Sequence, residues 1–179
     1  MREPTVARNY ADALFTAGEH SGDTERFAGL LEAVAGAIEG DERIRVMLDS
    51  PRVPKATKQR ILATALRPRA PEAFIRFLGA VVRRGRQALI PGINAAYHGL
   101  LDEKLHRVHA GVVLARKPDK RLLNEIARRL SAAVRQEVIL HPREDPRILG
   151  GVIVRIGDRV MDGSVRHKML QLRKQMLGA

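Results

Sequence analysis

The residues whose types and spacing could do chemistry gather near the end of the chain, in the stretch IGDRVMDGS at positions 156–164. Asp158 and Asp162 could ligate a hard cation. Counted from Asp158, a calcium loop needs oxygen ligands at positions 1, 3, 5 and 12 and a glycine at 6. Asp162 and Gly163 fall on positions 5 and 6, but Val160 and Met169 take positions 3 and 12 and offer no oxygen. A phosphate cradle needs a glycine-rich loop of the form G-x-x-x-x-G-K-[ST] or G-x-G-x-x-G. The chain has neither, and Asp162 would repel the anion. As paired carboxylates, Asp158 and Asp162 would flank a hairpin turn with no enclosed pocket around them.

Other reactive side chains are scattered. His98, His106 and His109 fall near Glu103 at intervals of eight and three, which is no ligand pattern, and they read as solvated or helix-end histidines. The serines, Ser21, Ser50, Ser131 and Ser164, lie in no G-x-S-x-G elbow. Absence of cysteine excludes disulfides, thiolate metal sites, iron–sulfur clusters and cysteine nucleophiles together. No active site, cofactor site or metal site is expected.

The closing stretch reads instead as an architectural joint. Gly157-Asp158 is a hairpin turn pair, with glycine supplying the backbone freedom for the reversal. Val160 and Met161 continue the apolar side, Gly163 allows a bend, and Ser164 can cap the helix that follows.

The elements around this joint follow from apolar periodicity. Val6, Tyr10 and Leu14, with Ala7, Ala11 and Phe15, define one face of a first helix over residues 4–20. Phe27, Leu30, Leu31, Val34 and Ile38 mark a second helix, and Asp41 can cap a short third ending at Ser50-Pro51. Pro54 opens a fourth with Ile61, Leu62 and Leu66. A fifth carries Phe74, Phe77, Leu78, Val81 and Val82 and closes at Gly85. The sixth runs from about 88 to 105 with Pro91 in its first turn, where proline costs little. Beyond it, VHAGVVLA (108–115) is rich in branched apolar residues and reads as a strand. A helix through Leu122, Leu123, Ile126, Leu130 and Val134, a short strand EVILH (137–141), a proline-punctuated loop to Pro146, a hairpin and a last helix complete the chain. The expected fold is α+β and mainly α. A six-helix bundle over 1–105 precedes a small mixed α/β domain over 106–179.

Composition sets outer bounds. The 179 residues are 45% hydrophobic but only 3% aromatic, so the core must be built from Leu, Ile, Val and Ala. No apolar run approaches the roughly 20 residues of a spanning helix, and the opening residues lack the plan of a secretory signal. A soluble bacterial or cytoplasmic-side protein is expected. The formal charge of +12 is uneven. Residues 1–51 carry five Lys/Arg and ten Asp/Glu, whereas residues 52–86 carry ten Lys/Arg against Glu72 alone. Such a basic middle suits nucleic acid or an acidic protein partner. A basic nucleic-acid-binding protein is therefore the competing reading, but few aromatics interleave with the stretch and no helix-turn-helix or finger spacing is present, which counts against it.

The segment ILGGVIVRIGDRVMDGSVRHKMLQLRKQM closely resembles the C-terminal signature of the delta subunit of bacterial F-type ATP synthases, the counterpart of the mitochondrial oligomycin-sensitivity-conferring protein. TVARNYADALF resembles that family's first helix, and LGAVVRRGRQALIPGI its fifth-to-sixth helix region; the basic stretch is the main departure. The resemblance implies a non-catalytic stator subunit, one copy per complex, with no cofactor, no nucleic acid and no direct membrane insertion. It would lie peripherally at the cytoplasmic face of the bacterial membrane, coupling rotation to ATP synthesis. The bundle would hold N-terminal segments of the head's alpha subunits, and the C-terminal domain the b subunits of the peripheral stalk.

By that resemblance the alpha-subunit groove lies between the first and fifth helices, at Ala7, Tyr10, Ala11, Leu14, Phe15, Phe77, Leu78, Val81 and Val82. The same residues also suit bundle core. Small residues Ala7, Ala11, Ala17 and Gly18 would let a neighbouring helix approach closely. In the last helix Val165, Met169, Leu172 and Met176 form a narrow seam at intervals of four, three and four. Leu172, Arg173 and Met176 are the expected stalk-binding region, while Val165 and Met169 are expected to lie on the sheet.

Overall fold

The computed structural model describes residues 3–176 and divides into two compact units, Met1–Asp102 and Glu103–Ala179. The first is all helix. Helix α1 (Glu3–Ser21) carries Pro4 in its first turn and stops where Gly22 turns to φ +72, with the Asp23 N–H returning to Gly18 O at 2.9 Å. Helix α2 (Thr24–Gly40) buries Phe27, Leu31, Val34 and Ile38 at helical intervals. Helix α3 (Glu42–Asp49) is capped by Asp41, whose carboxylate accepts the Arg43 N–H at 2.8 Å. Helices α4 (Lys55–Leu66) and α5 (Glu72–Arg83) each start just after a proline, and Gly85 at φ +69 follows the second. A 3₁₀ turn, Gln87–Leu89, leads into α6 (Ile90–Lys104).

The scarce aromatics are concentrated where these helices meet. Phe27 packs against Phe74 with ring centroids 5.6 Å apart. Tyr97 is fully buried and donates its hydroxyl proton to Thr24 O at 3.0 Å, tying α6 to the start of α2. Burial, with the charge of Glu19 added, pushes that phenol up to about 12. A Cβ on Gly18 would stand 3.1 Å from the Tyr97 oxygen and 3.2 Å from Thr24 Cα, so a larger residue would force these neighbours to shift by a few tenths of an ångström.

Part of the basic stretch is architectural. Lys58 is buried, 4% exposed, and its Nζ donates to Leu48 O and, at 2.8 Å, to Ser50 O. Gln87 Nε2 donates to the same Leu48 oxygen at 2.9 Å. Lys55 Nζ donates to Arg83 O at 3.0 Å. Both lysines belong to the first turn of α4, but their amino groups reach the C-terminal ends of α3 and α5, where orphan carbonyls and the negative end of the dipole favour a cation.

The second unit is a four-stranded sheet in the order β2-β1-β3-β4. Strand β1 (Arg107–Leu114) pairs in parallel with β2 (Glu137–Glu144) and antiparallel with β3 (Val152–Ile156), which pairs antiparallel with β4 (Arg159–Asp162). The parallel pair requires a crossover, supplied by α7 (Lys120–Val134) with Asp119 accepting the Leu122 N–H at 2.7 Å. Ala110, Val112, Leu114, Val138 and Val154 form the core, with Ile126, Leu130 and Val134 of α7 packed on it.

The mainly helical α+β class expected from the sequence is the fold observed. Most element ends fall within one or two residues of expectation, and the largest shift is in β2. Strand β2 runs on through Pro142 to Glu144, where a loop was expected. It is an edge strand, so the missing proline N–H breaks no second ladder. Helix α8 (Val165–Met176) ends the described chain with no buried residue. Val165 and Met169 are 43% and 58% exposed, so they do not lie on the sheet as the sequence led us to expect.

Replacing Lys58 by methionine keeps the apolar stem and removes the donor from two carbonyls. We expect a loss of about 1–3 kcal/mol, read as a lower urea midpoint at unchanged slope. A midpoint equal to that of the parent chain would refute the capping role.

Candidate functional site

At the closing joint the turn residues interlock with a segment that the sequence pattern did not single out. Gly151 has φ +80, and a Cβ there would lie 2.4 Å from Gly163 O and 3.0 Å from Ser164 Cα. Two backbone bonds clamp the same place: Gly163 N–H to Val152 O and Val165 N–H to Gly150 O, both 2.9 Å. Gly157, at φ +55, is the only residue of the two-residue turn with positive φ, as in a type II′ hairpin. Ser164 is 2% exposed; its Oγ accepts the His167 N–H at 3.1 Å and caps α8. The Ser164 N–H in turn donates to Asp162 Oδ1 at 2.9 Å. These bonds, with His167 Nδ1 3.7 Å from the other carboxylate oxygen, hold Asp162 below the usual carboxylate range. Asp162 is thus committed to the cap, and Asp158 stands in the exposed turn. Among the described residues no three His, Cys, Asp or Glu side chains converge as a metal set.

A second brace lies at the β2–β3 connection. Asp145 accepts the Arg147 backbone N–H at 3.0 Å and its guanidinium at 2.9 Å (Nε) and 2.8 Å (Nη2). This fork lowers the Asp145 carboxyl to about 2. The signal available in the sequence was the D-x-R spacing around a proline.

Six of the nine residues expected to line the α1–α5 groove, Ala7, Ala11, Leu14, Leu78, Val81 and Val82, are buried at 4% exposure or less. They are bundle core. The helix that approaches the small face of α1 is the chain's own α6, since a Cβ on Gly92 would meet Ala7 Cβ at 3.4 Å. Tyr10, Phe15 and Phe77 remain partly exposed. Tyr10 and Phe77 meet edge to face at 6.2 Å, bridging α1 and α5. Phe15 turns to Tyr97 at 5.4 Å. Arg84 reaches the Tyr10 hydroxyl at 3.5 Å, and Arg86 lies 5.7 Å over its ring. What stays partly exposed of the expected groove is therefore an aromatic step bordered by two arginines.

Helix α8 offers the opposite situation. Met169, Leu172, Arg173 and Met176 line an open groove of about 420 Å³, with Leu172 58% and Met176 86% exposed. Its four cations, Arg166, Lys168, Arg173 and Lys174, face no carboxylate on the same helix. A further apolar recess of about 230 Å³, lined by Ile38, Ile44, Met47, Ile61 and Leu62 among others, lies between α2, α3 and α4. Sequence periodicity alone does not reveal it, because each helix shows a plausible inward face.

No described helix is long and apolar enough to cross a membrane. Residues 6–176 match the family described as ATP synthase delta (OSCP) subunit. An ATP synthase subunit delta from Gemmatimonas aurantiaca is 44% identical over 174 residues, covering 97% of this chain and 94% of that protein. One from Anaeromyxobacter dehalogenans is 35% identical, covering 96% and 97%. In solved structures, a chain of the Toxoplasma gondii mitochondrial ATP synthase hexamer shares the fold with a TM-score of 0.68. It does so at 20% identity, over 96% of this chain and 97% of that one.

Gly151→Ala should leave the second unit unfolded or destabilised by several kcal/mol, about the scale of severe core strain. Gly157→Ala should cost only about 1–2 kcal/mol for its backbone angle; equal effects in thermal unfolding would refute the interlock. Because the folded pKa values of Asp145 and Asp162 are depressed, their stabilisation is present above the ordinary carboxylate range and is lost as pH falls. For Asp145 that loss runs from near 4 to about 2. The difference in melting temperature between the parent chain and Asp145→Asn should shrink across that window. A constant difference would count against the brace.

Proposed function

The chain belongs to the ATP synthase delta (OSCP) subunit family, and from that membership we propose that it is a non-catalytic stator subunit. It ties the catalytic head to the peripheral stalk, so that torque from the rotor drives ATP formation instead of spinning the head. Unit Met1–Asp102 receives N-terminal segments of the head's alpha subunits, and unit Glu103–Ala179 receives the ends of the b subunits. The protein acts as one copy per complex at the cytoplasmic face of the bacterial membrane, peripherally and with no active site of its own.

One observation supports this reading: each unit keeps an apolar helix surface that its own fold leaves at least partly open. On the first it is the Tyr10–Phe77 step between α1 and α5, the place where an amphipathic helix could lay its apolar face. On the second it is the α8 seam. A linker protein needs two such faces on two bodies; an enzyme needs a pocket. Nucleic-acid binding loses support because Lys55, Lys58, Arg84 and Arg86 already serve carbonyls or Tyr10.

Two titrations of the full-length chain test the division of labour. Phe77→Ala should weaken binding of the cognate alpha N-terminal peptide about tenfold or more, as truncation of an aromatic anchor does, and leave stalk binding unchanged. Leu172→Asp should do the reverse. Both variants weakening the same partner, or neither weakening either, would overturn the assignment of one partner to each unit.

A further inference from the structure

Leu149 is disfavoured twice where it stands. Its backbone has φ +63, a region that costs residues with a Cβ and that glycine or asparagine fill more readily. Its side chain is 70% exposed, so burial returns little for that conformation. Like His106 and Arg135, the other non-glycine residues at positive φ among the described residues, Leu149 follows a helical turn (the 3₁₀ turn Pro146–Ile148), but those two are polar.

The loop that carries Leu149 is nevertheless firmly held. The Asp145 N–H donates to Leu114 O of β1 at 2.8 Å, and the Asp145–Arg147 fork fixes the turn. Ile148 is 6% exposed and anchors the residue before it. On the other side Gly150 O accepts the Val165 N–H at 2.9 Å, and a Cβ on Gly150 would touch Val165 Cγ2 at 3.2 Å. Leu149 is thus displayed beside the first turn of α8, next to the start of the seam Val165, Met169, Leu172, Met176.

We propose that Leu149 is a second anchor for the stalk helix, extending the α8 seam onto the β2–β3 loop. This rests on the stalk reading of unit Glu103–Ala179. The occupant is an amphipathic helix with an acidic flank, because α8 presents four cations and no carboxylate. A pinned loop loses little freedom when the partner arrives, which is the advantage of holding a leucine in a conformation it would not choose.

Leu149→Gly separates binding from folding, since glycine relieves the backbone while removing the anchor. With the full-length chain, its melting temperature should equal or exceed that of the parent. Its affinity for the C-terminal helical segment of the cognate b subunit should fall about tenfold, in the range of an interface anchor. Leu149→Met should stay within about threefold of the parent, as volume-conserving apolar swaps do. Affinity for the alpha N-terminal peptide should not move in either variant. Leu149→Gly binding the b segment as well as the parent would overturn this inference alone. A parent chain that fails to bind the b segment would sink the stalk reading and this inference together. Self-association abolished by Leu149→Gly would assign the surface to a second copy and overturn the choice of partner.

Discussion

The start of α8 is set by a contact in which no side chain can intervene. Gly151 meets the backbone of Gly163 and Ser164 at a distance that excludes even a methyl group. The two flanking hydrogen bonds, from Gly163 to Val152 and from Val165 to Gly150, then have only one geometry available. Strand β3 begins and helix α8 begins at the same point, and the Asp162–Ser164–His167 cap fixes the direction in which the helix leaves. A side-chain contact in this place could slide between rotamers, whereas a backbone-on-backbone clamp is rigid. On the proposed stalk-binding role, that rigidity would supply preorganisation for the exposed face of the helix.

The same economy explains the charges of the first unit. Ten basic residues between 52 and 86 invite a reading as one electrostatic surface. The structure divides them. Lys58 and Lys55 serve the carbonyls that α3 and α5 leave unpaired at their ends, and Arg84 and Arg86 embrace Tyr10. A charge buried like Lys58 is tolerated only with partners in place. The remaining arginines are exposed, and individually such charges contribute little to stability or affinity. Their summed field governs approach and orientation more than it governs grip.

Much of this was legible in the sequence because local chemistry determined it. The Asp41 and Ser164 caps, the break at Gly85, the hairpin at Gly157 and the apolar spacing of α1 to α6 each depend on near neighbours. What was hidden depends on distant ones. Pro142 reads as a strand breaker until it is known that β2 lies at the sheet edge. Gly151 looks like any glycine before a strand until Gly163 arrives against it, twelve positions later in the chain. Ala7, Ala11, Leu14, Leu78, Val81 and Val82 form an apolar stripe whether it faces inward or toward a partner. Periodicity identifies the stripe, and only the burial of these six residues in the folded bundle shows that they face the core. The sheet-facing role expected for Val165 and Met169 failed for the converse reason, since a seam pattern does not say which body supplies the other half.

That missing half is the strongest physical argument for an assembled role. Val165, Met169, Leu170, Leu172 and Met176 are all more than 40% exposed on one short helix, and each square ångström of apolar surface left in water forgoes about 25 cal/mol. A chain selected only for its own stability would tuck this helix onto the sheet or make it polar. Two methionines among these residues suit a surface that adapts to a partner instead of to its own core. On the proposed role, the four cations beside them would favour partner helices with acidic flanks. Stability is withheld at α8 while order is enforced at its root, and that combination is what a joint needs: a fixed origin and an unsatisfied face.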